Sequence, residues 1–373
     1  MKIKHTFFTN IPAPYRIDMF NRLQELSGKE NFSFEVLFMR KTEYERSWNV
    51  NLNSINFDHK IGKGLYIPSR LSLHLNPLLI KRAIKADHLV LGASWNNLNV
   101  LLIVLLKKLG LIKCKLSLWS EANYLTNFAS STSKLRDSLR HFVFNSLDGV
   151  VLIPGEMAKI SIQMWKLPVR KFVYLPNLIS SVVYKPHLRA PFSNRPPIFF
   201  TSMRLHEETK GLLNFLNALG VDRLKKVIIR VAGDGSDKKI YEKYIQDNAL
   251  QNNVLLLGHL NSSEMSEEYK NADFFFLPSF SDPSPLSVIE AIHSGLPLLI
   301  SERCGNHFEA CVGNGYTFDP SSIEDIKSKF DLLIVKTPFI TQLSEASLHR
   351  AKEHFNLDKS LSALIRDLNS HIK

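Results

Sequence analysis

Short apolar runs alternate along the chain with stretches of helical spacing. Lys4–Thr9 (KHTFFT) and Phe32–Phe38 (FSFEVLF) have the length and residue types of strands. Between them Ile17, Phe20, Leu23 and Leu26 keep one helical face, with Gly28 just past its end. The alternation then predicts strands at Asp87–Leu91, Lys115–Trp119, Gly149–Ile153 and Phe172–Leu175, and helices at Leu79–Ala86, Val100–Leu109 and Lys134–Phe144. It breaks at Asn177–Pro197 (NLISSVVYKPHLRAPFSNRPP), where four prolines and little periodicity predict a linker. Strands resume at Pro197–Thr201, Val227–Ala232, Val254–Leu257, Asp273–Leu277 and Pro297–Ser301, and Ser344–Ile372 reads as helical. Strand–helix alternation predicts an α/β fold of parallel layers. The break predicts two domains, residues 1–180 and 197–345, joined by a linker at 181–196 and followed by a C-terminal helix at 346–373.

The strand ending at Leu277 runs into a Pro- and Ser-rich turn, and a helix is expected from Ser287. A strand that delivers a loop into a helix N-terminus aims backbone N–H groups and a positive dipole end at an anion in the cleft. Asp282 and Glu290 flank this turn. By themselves they are equally readable as a helix cap and a solvated side chain.

Their neighbours make the segment specific. Asp282-x7-Glu290 continues as EAIHSGLPLLI and resembles the E-x7-E signature of retaining glycosyltransferase family 4. Arg204-x5-Lys210, followed by Gly211, resembles the family's phosphate-binding Arg and Lys. VAGDG, with Gly233 and Gly235, resembles its G-x-G strand end, and VLLLGH, ending in Gly258 and His259, its base-binding strand. The four motifs stand in family order between residues 196 and 320, whereas residues 1–180 match more loosely.

The resemblance implies the GT-B arrangement, two Rossmann-like doubly wound domains facing a central cleft, with the last helix crossing back onto the first domain. It implies a UDP- or GDP-sugar donor, a hexosyl group transferred with retention, and no cofactor or metal. Arg204 and Lys210 would stabilise the leaving diphosphate, a planar fork of donors beside a compact charge. Glu290 would accept hydrogen bonds from the ribose hydroxyls, and Asp282 would touch hydroxyls of the sugar. As an Asp where the family has Glu, Asp282 is shorter by about 1.5 Å. Backbone N–H groups of Ser284, Leu286 and Ser287 would face sugar or phosphate, while Pro285 removes one such group. His259 and Leu260 would lie at the base. Gly233 is a further donor-site candidate, although a lone G-x-G reads equally well as a tight turn.

Many relatives end a first-domain strand with a His near the reacting carbon. Here that strand reads KLSLWSEA, with no His. Glu121 is the local candidate for an acid/base or a sugar contact, and a capping or solvated glutamate is the alternative. Asn10, Tyr15 and Arg16 fall in the first loop, where Arg16 is placed to meet either phosphate or acceptor.

Charge adds a second asymmetry. Residues 1–190 hold 27 Lys and Arg against 12 Asp and Glu, a net of +15, whereas residues 191–373 hold 20 against 23. A basic first half attracts anionic lipid, nucleic acid or a phosphorylated acceptor. Its basic residues lie scattered over several helices without an aromatic stacking platform, which disfavours nucleic acid. Together with the apolar stretch Leu98–Leu109, they point to an anionic membrane surface. That stretch is too short to span a bilayer, and the N-terminus lacks the apolar run of a signal peptide. Three cysteines without C-x2-C spacing suggest a reducing compartment and no zinc site.

The expectation is therefore a cytoplasmic enzyme, peripheral on the inner face of the membrane. It would glycosylate a glycan or lipid-linked acceptor in the synthesis of lipopolysaccharide, O-antigen, capsule or exopolysaccharide. The alternative is a non-catalytic basic membrane-surface protein with a degenerate glycosyltransferase fold. A nucleotide-sugar 2-epimerase of the same fold would need more acid/base groups than this cleft supplies.

Overall fold

The computed structural model describes residues 3–42, 51–67, 73–125, 134–179 and 184–371. The first half contains β1 (Lys4–Thr9), β2 (Ser33–Phe38), β3 (His59–Ile61), β4 (Leu65–Ile67), β5 (Leu73–Leu75), β6 (His88–Gly92), β7 (Lys115–Trp119), β8 (Val150–Ile153) and β9 (Lys171–Tyr174). Seven of these form a parallel sheet in the order β3-β2-β1-β6-β7-β8-β9, and β4 and β5 pair as a small antiparallel hairpin. The second half contains β10 (Ile198–Ser202), β11 (Ile228–Ala232), β12 (Val254–Gly258), β13 (Phe274–Leu277), β14 (Leu298–Ser301) and β15 (Gly315–Phe318). Its parallel order is β12-β11-β10-β13-β14-β15. Both sheets reverse their winding beside the first strand, between β1 and β6 and between β10 and β13. Such switch points leave a crevice outside the strand C-termini.

Parallel strands covered on both faces need unbroken apolar sequence. Phe274, Phe275, Phe276 and Leu277 of β13 are fully buried. Phe276 stacks on Phe215 and Phe274 on Phe199, each with ring centroids 5.0 Å apart. Burying each such side chain contributes about 1.5–3 kcal/mol. This end of the second half is therefore a stiff base for the loop that follows β13.

The structure departs from the sequence expectations where elements are short. β3, the β4–β5 hairpin and β15 lie outside the predicted strands, because three or four residues carry no measurable period. The helical tail is two helices, Ile340–His354 and Leu357–His371. They break at Phe355, which is buried, and Asn356, whose side chain accepts from the Lys359 N–H at 3.0 Å. Ile372 and linker residues 181–183 lie outside the described residues.

The final helix lies on the first half. Arg22 Nε and Nη2 each reach an Asp358 carboxylate oxygen at 2.6 Å, and Lys171 Nζ reaches Asp367 at 2.5 Å. Among the described residues no helix is long and apolar enough to cross a membrane.

Candidate functional site

The loop from Pro278 to Pro285 connects β13 to the helix Leu286–His293. Three hydrogen bonds hold its course. Ser281 N–H donates to Thr209 O at 3.0 Å, Gly305 N–H to Asp282 O at 2.9 Å, and Asn306 Nδ2 to Pro285 O at 3.0 Å. Opposite stands the short helix Glu207–Lys210, ending at Gly211 with φ 61°. A side chain at Gly211 would put its Cβ 2.8 Å from Pro278 O, so glycine alone allows the loop and the helix end to approach this closely. The approach lets Lys210 Nζ donate to Asp282 Oδ2, with the two side chains only 17% and 16% exposed. Lys210 and Asp282, predicted from distant motifs, are thus direct partners. Among the described residues no side chain caps the N-terminus of the helix Leu286–His293, and Pro285 there lacks an N–H.

Glu290, one turn further, accepts from Tyr269 Oη at 2.7 Å. Burial raises the Glu290 carboxyl, and hydrogen bonding from Tyr269 and Tyr184 pulls it back. The same crowding pushes both phenols up. Arg204 is exposed just after β10. Gly233 follows β11, and a Cβ there would lie 1.9 Å from Met203 O. Close backbone packing therefore accounts for this glycine without a ligand. His259 and Leu260 follow β12. Ser284 is buried, Leu286 and Ser287 begin the helix, and Ser287 O accepts from Tyr269 Oη at 3.2 Å.

The first half meets this loop through Asn177, buried just after β9. Its Nδ2 donates to Glu121 Oε1 and to Ser284 O, each at 3.2 Å. Glu121 Oε1 also accepts from Arg16 Nη2 at 3.2 Å. Arg16 lies 3.7 Å over the Trp119 ring. Glu121, Arg16, Asn10 and Tyr15 line a cavity of about 380 Å³ at the C-terminal ends of β1, β6 and β7. Its size falls in the range of small-molecule sites, roughly 300–1,000 Å³. Two further ties cross between the halves. Asn123 Nδ2 donates to Arg303 O at 3.0 Å, and the Glu156 N–H donates to Glu309 Oε1 at 2.5 Å.

The structure therefore brings Lys210, Asp282, Ser284 and Glu121 into one connected group, with Glu290 on the adjoining helix and Arg204, Gly233, His259 and Leu260 at neighbouring strand ends. Sequence reasoning missed Asn177, Asn123 and Glu309. Asn177 was read as the start of a linker, although a polar residue set between Pro176 and Leu178 is the signal that could have marked it. The other two act on the far domain and carry no local pattern.

Comparison with known proteins fits this geometry. Residues 187–350 match the family model for glycosyl transferases group 1. The sulfoquinovosyl transferase SQD2 of Arabidopsis thaliana is 26% identical over 191 residues, 49% of this chain and 35% of that protein. The UDP-Gal:alpha-D-GlcNAc-diphosphoundecaprenol alpha-1,3-galactosyltransferase of Escherichia coli is 30% identical over 143 residues, 37% of this chain and 35% of that protein. The chain thus spans about a third of the length of these curated relatives. Over its whole length it superposes on HepE of Anabaena, solved in complex with UDP. The TM-score is 0.73 at 13% identity, covering 99% of this chain and 100% of that one. The chain has the GT-B fold, and its residues 187–350 are similar to the glycosyl transferases group 1 family.

Proposed function

We propose that this protein is a retaining, metal-independent hexosyltransferase that moves a sugar from a nucleotide-sugar to a hydroxyl of a glycan or lipid-linked acceptor. The observation that carries the reading is the Lys210–Asp282 pair, set beside an uncapped helix N-terminus and linked through Ser284 and Asn177 to Glu121 in the opposite wall. A donor placed there would put its diphosphate against Lys210, Arg204 and the N–H groups at Ser284, Leu286 and Ser287. Lys210 would exchange Asp282 for phosphate, and the released carboxylate would accept from sugar hydroxyls. Glu290 would take the ribose hydroxyls, with Gly233, His259 and Leu260 around the nucleoside.

In the transfer the bond from the anomeric carbon to the phosphate oxygen breaks, and its electron pair leaves on the diphosphate. The acceptor hydroxyl oxygen bonds to the anomeric carbon from the same face, and its proton passes to the departing phosphate. Lys210 and Arg204 stabilise the charge that develops there. Glu121 spends Oε1 on Arg16 and Asn177, and Oε2, without a partner among the described residues, can orient the acceptor hydroxyl.

Exposed Leu105, Leu109, Leu111 and Leu135 lie in sequence beside Lys107, Lys108, Lys113 and Lys134. This supports docking of the first half on an anionic membrane from the cytoplasmic side, in cell-envelope polysaccharide synthesis. Binding to phosphatidylglycerol vesicles that weakens with salt, with no binding to duplex DNA, is the expected result.

A panel of UDP-, GDP- and other nucleotide-sugars, read by thermal shift, tests the donor assignment. One donor should raise Tm by mass action, and Lys210→Ala should abolish the shift. No shift with any donor would favour the degenerate, non-catalytic protein.

A further inference from the structure

The first-half cavity carries more positive charge than a neutral sugar needs. Arg16 is 8% exposed, yet its guanidinium, with five N–H donors, has one oxygen acceptor among the described residues, Glu121 Oε1. Its other polar neighbour is the Met19 thioether at 4.0 Å, a weak acceptor. Stacking on Trp119 covers one face of the guanidinium and leaves its donor edge short of partners. Arg136 forms a second cationic part of the lining, against one carboxylate, Glu121. Behind it Arg140, paired with Asp137 at 3.2 Å, lies 3.9 Å over Trp165 and 5.3 Å over Trp95, two aromatic rings that also line the cavity. For the desolvated Arg16 guanidinium, an anion in the cavity would complete the donors that Glu121 leaves unmet.

We propose that this cavity is an oxyanion-binding acceptor subsite. Arg16 and Arg136 bind a phosphate or carboxylate carried by the acceptor, the tryptophans bound its sugar ring, and Glu121 faces its reactive hydroxyl. The inference rests on the transferase reading for the word acceptor, but the anion preference stands on the cavity alone. A sugar phosphate and a uronic acid share this chemistry, and the Arg fork suits both.

The test titrates the full chain with glucose 1-phosphate, glucuronate and glucose, following tryptophan fluorescence. Saturating UDP fills the donor site, and a parallel series uses Lys210→Ala without UDP, so anion binding beside Lys210 does not contribute. At least one of the two anions should bind about tenfold or more tightly than glucose, the scale of one charge-assisted contact. A preference for glucose 1-phosphate alone identifies a phosphorylated acceptor, and one for glucuronate alone an acidic sugar. Arg16→Gln should erase most of the preference, and Arg16→Lys should restore part of it. Arg136→Gln, at a half-exposed position, gives a second reading if Arg16 variants fail to fold. Equal binding of all three probes, no binding of either anion at millimolar concentration, or a preference unchanged in both glutamine variants would overturn the subsite. Failure of UDP to bind the wild type would instead count against the donor assignment.

Discussion

The two halves of the molecule share one topology and present their charges differently. In the second half the polar groups are already paired, Lys210 with Asp282 and Glu290 with Tyr269, on elements anchored by fully buried aromatic strands. In the first half Arg16 and Arg136 line an open cavity with a single carboxylate between them. On the proposed reading the donor carries a constant diphosphate and ribose, which a fixed and pre-paired site would serve. On that reading an acceptor varies, and the half that would meet it lines its cavity with two arginines. Under the proposed function, leaving-group chemistry would fall to the second half and acceptor selection to the first.

Lys210→Ala breaks the contrast most severely. It removes the cation at the leaving group and leaves Asp282 unpaired, so kcat should fall about 100- to 1,000-fold, the scale of losing one preorganised electrostatic partner. Steady-state kinetics with the donor found by thermal shift would measure it, with circular dichroism confirming the fold.

Acid should act chiefly on the first half. His5 Nδ1 lies 2.9 Å from His88 Nδ1, and His88 Nε2 lies 2.8 Å from Ser117 Oγ, all buried at the end of the sheet away from the cavity. Burial pushes both imidazoles down, His5 to about 4 and His88 to about 3, with Asp87 opposing for His5 and Lys115 reinforcing for His88. Folded, both are neutral at pH 7. Unfolded, each gains a proton below about 6.5. The unfolded chain therefore binds more protons as pH falls from about 6.5 to about 4, and stability drops through that window. The slope reaches about 1.4 kcal/mol per pH unit for each histidine. Urea unfolding at pH 7.5 and 5.5 should differ by about 2–3 kcal/mol on the same relation. In the second half the raised carboxyls of Glu290 and Glu309 act with the opposite sign, against the lowered His293 and His307. Hydrogen exchange at pH 5.5 should accelerate more at β1 and β6 than at β13 and β14. Equal acceleration would remove this part of the contrast.

Asn177→Ala sharpens the comparison by cutting the bridge between the halves. Two hydrogen bonds at about 1 kcal/mol each are lost, so kcat/KM should fall roughly tenfold while donor binding measured by calorimetry stays nearly constant. A loss confined to donor affinity would place Asn177 wholly in the donor site. The smallest expected effect is that of metal removal. EDTA should leave turnover unchanged within error, because Arg204 and Lys210 carry the leaving-group charge in this account.

The second half was the more legible in sequence for a physical reason. A loop that meets a helix end and turns into a helix start requires fixed spacings, as at Lys210–Gly211 and Asp282-x7-Glu290, and buried parallel strands such as β13 require runs such as FFFL. What escaped is what acts at a distance. Nothing near Asn177 announces that it spans Glu121 and Ser284, and nothing near Glu309 announces a bond to the Glu156 N–H. Nor does spacing disclose that Glu290 meets two tyrosines, one of them, Tyr184, from the linker. Short edge strands such as β15 were lost because too few residues remain to show a period.

The account turns most directly on the anomeric configuration of the sugar released from the donor. Hydrolysis of an α-linked UDP-sugar, followed by proton NMR before mutarotation, needs no knowledge of the acceptor. The account predicts that the α anomer appears first in the wild type and that Lys210→Ala suppresses its release. Initial release of the β anomer, or hydrolysis indifferent to Lys210, would contradict it.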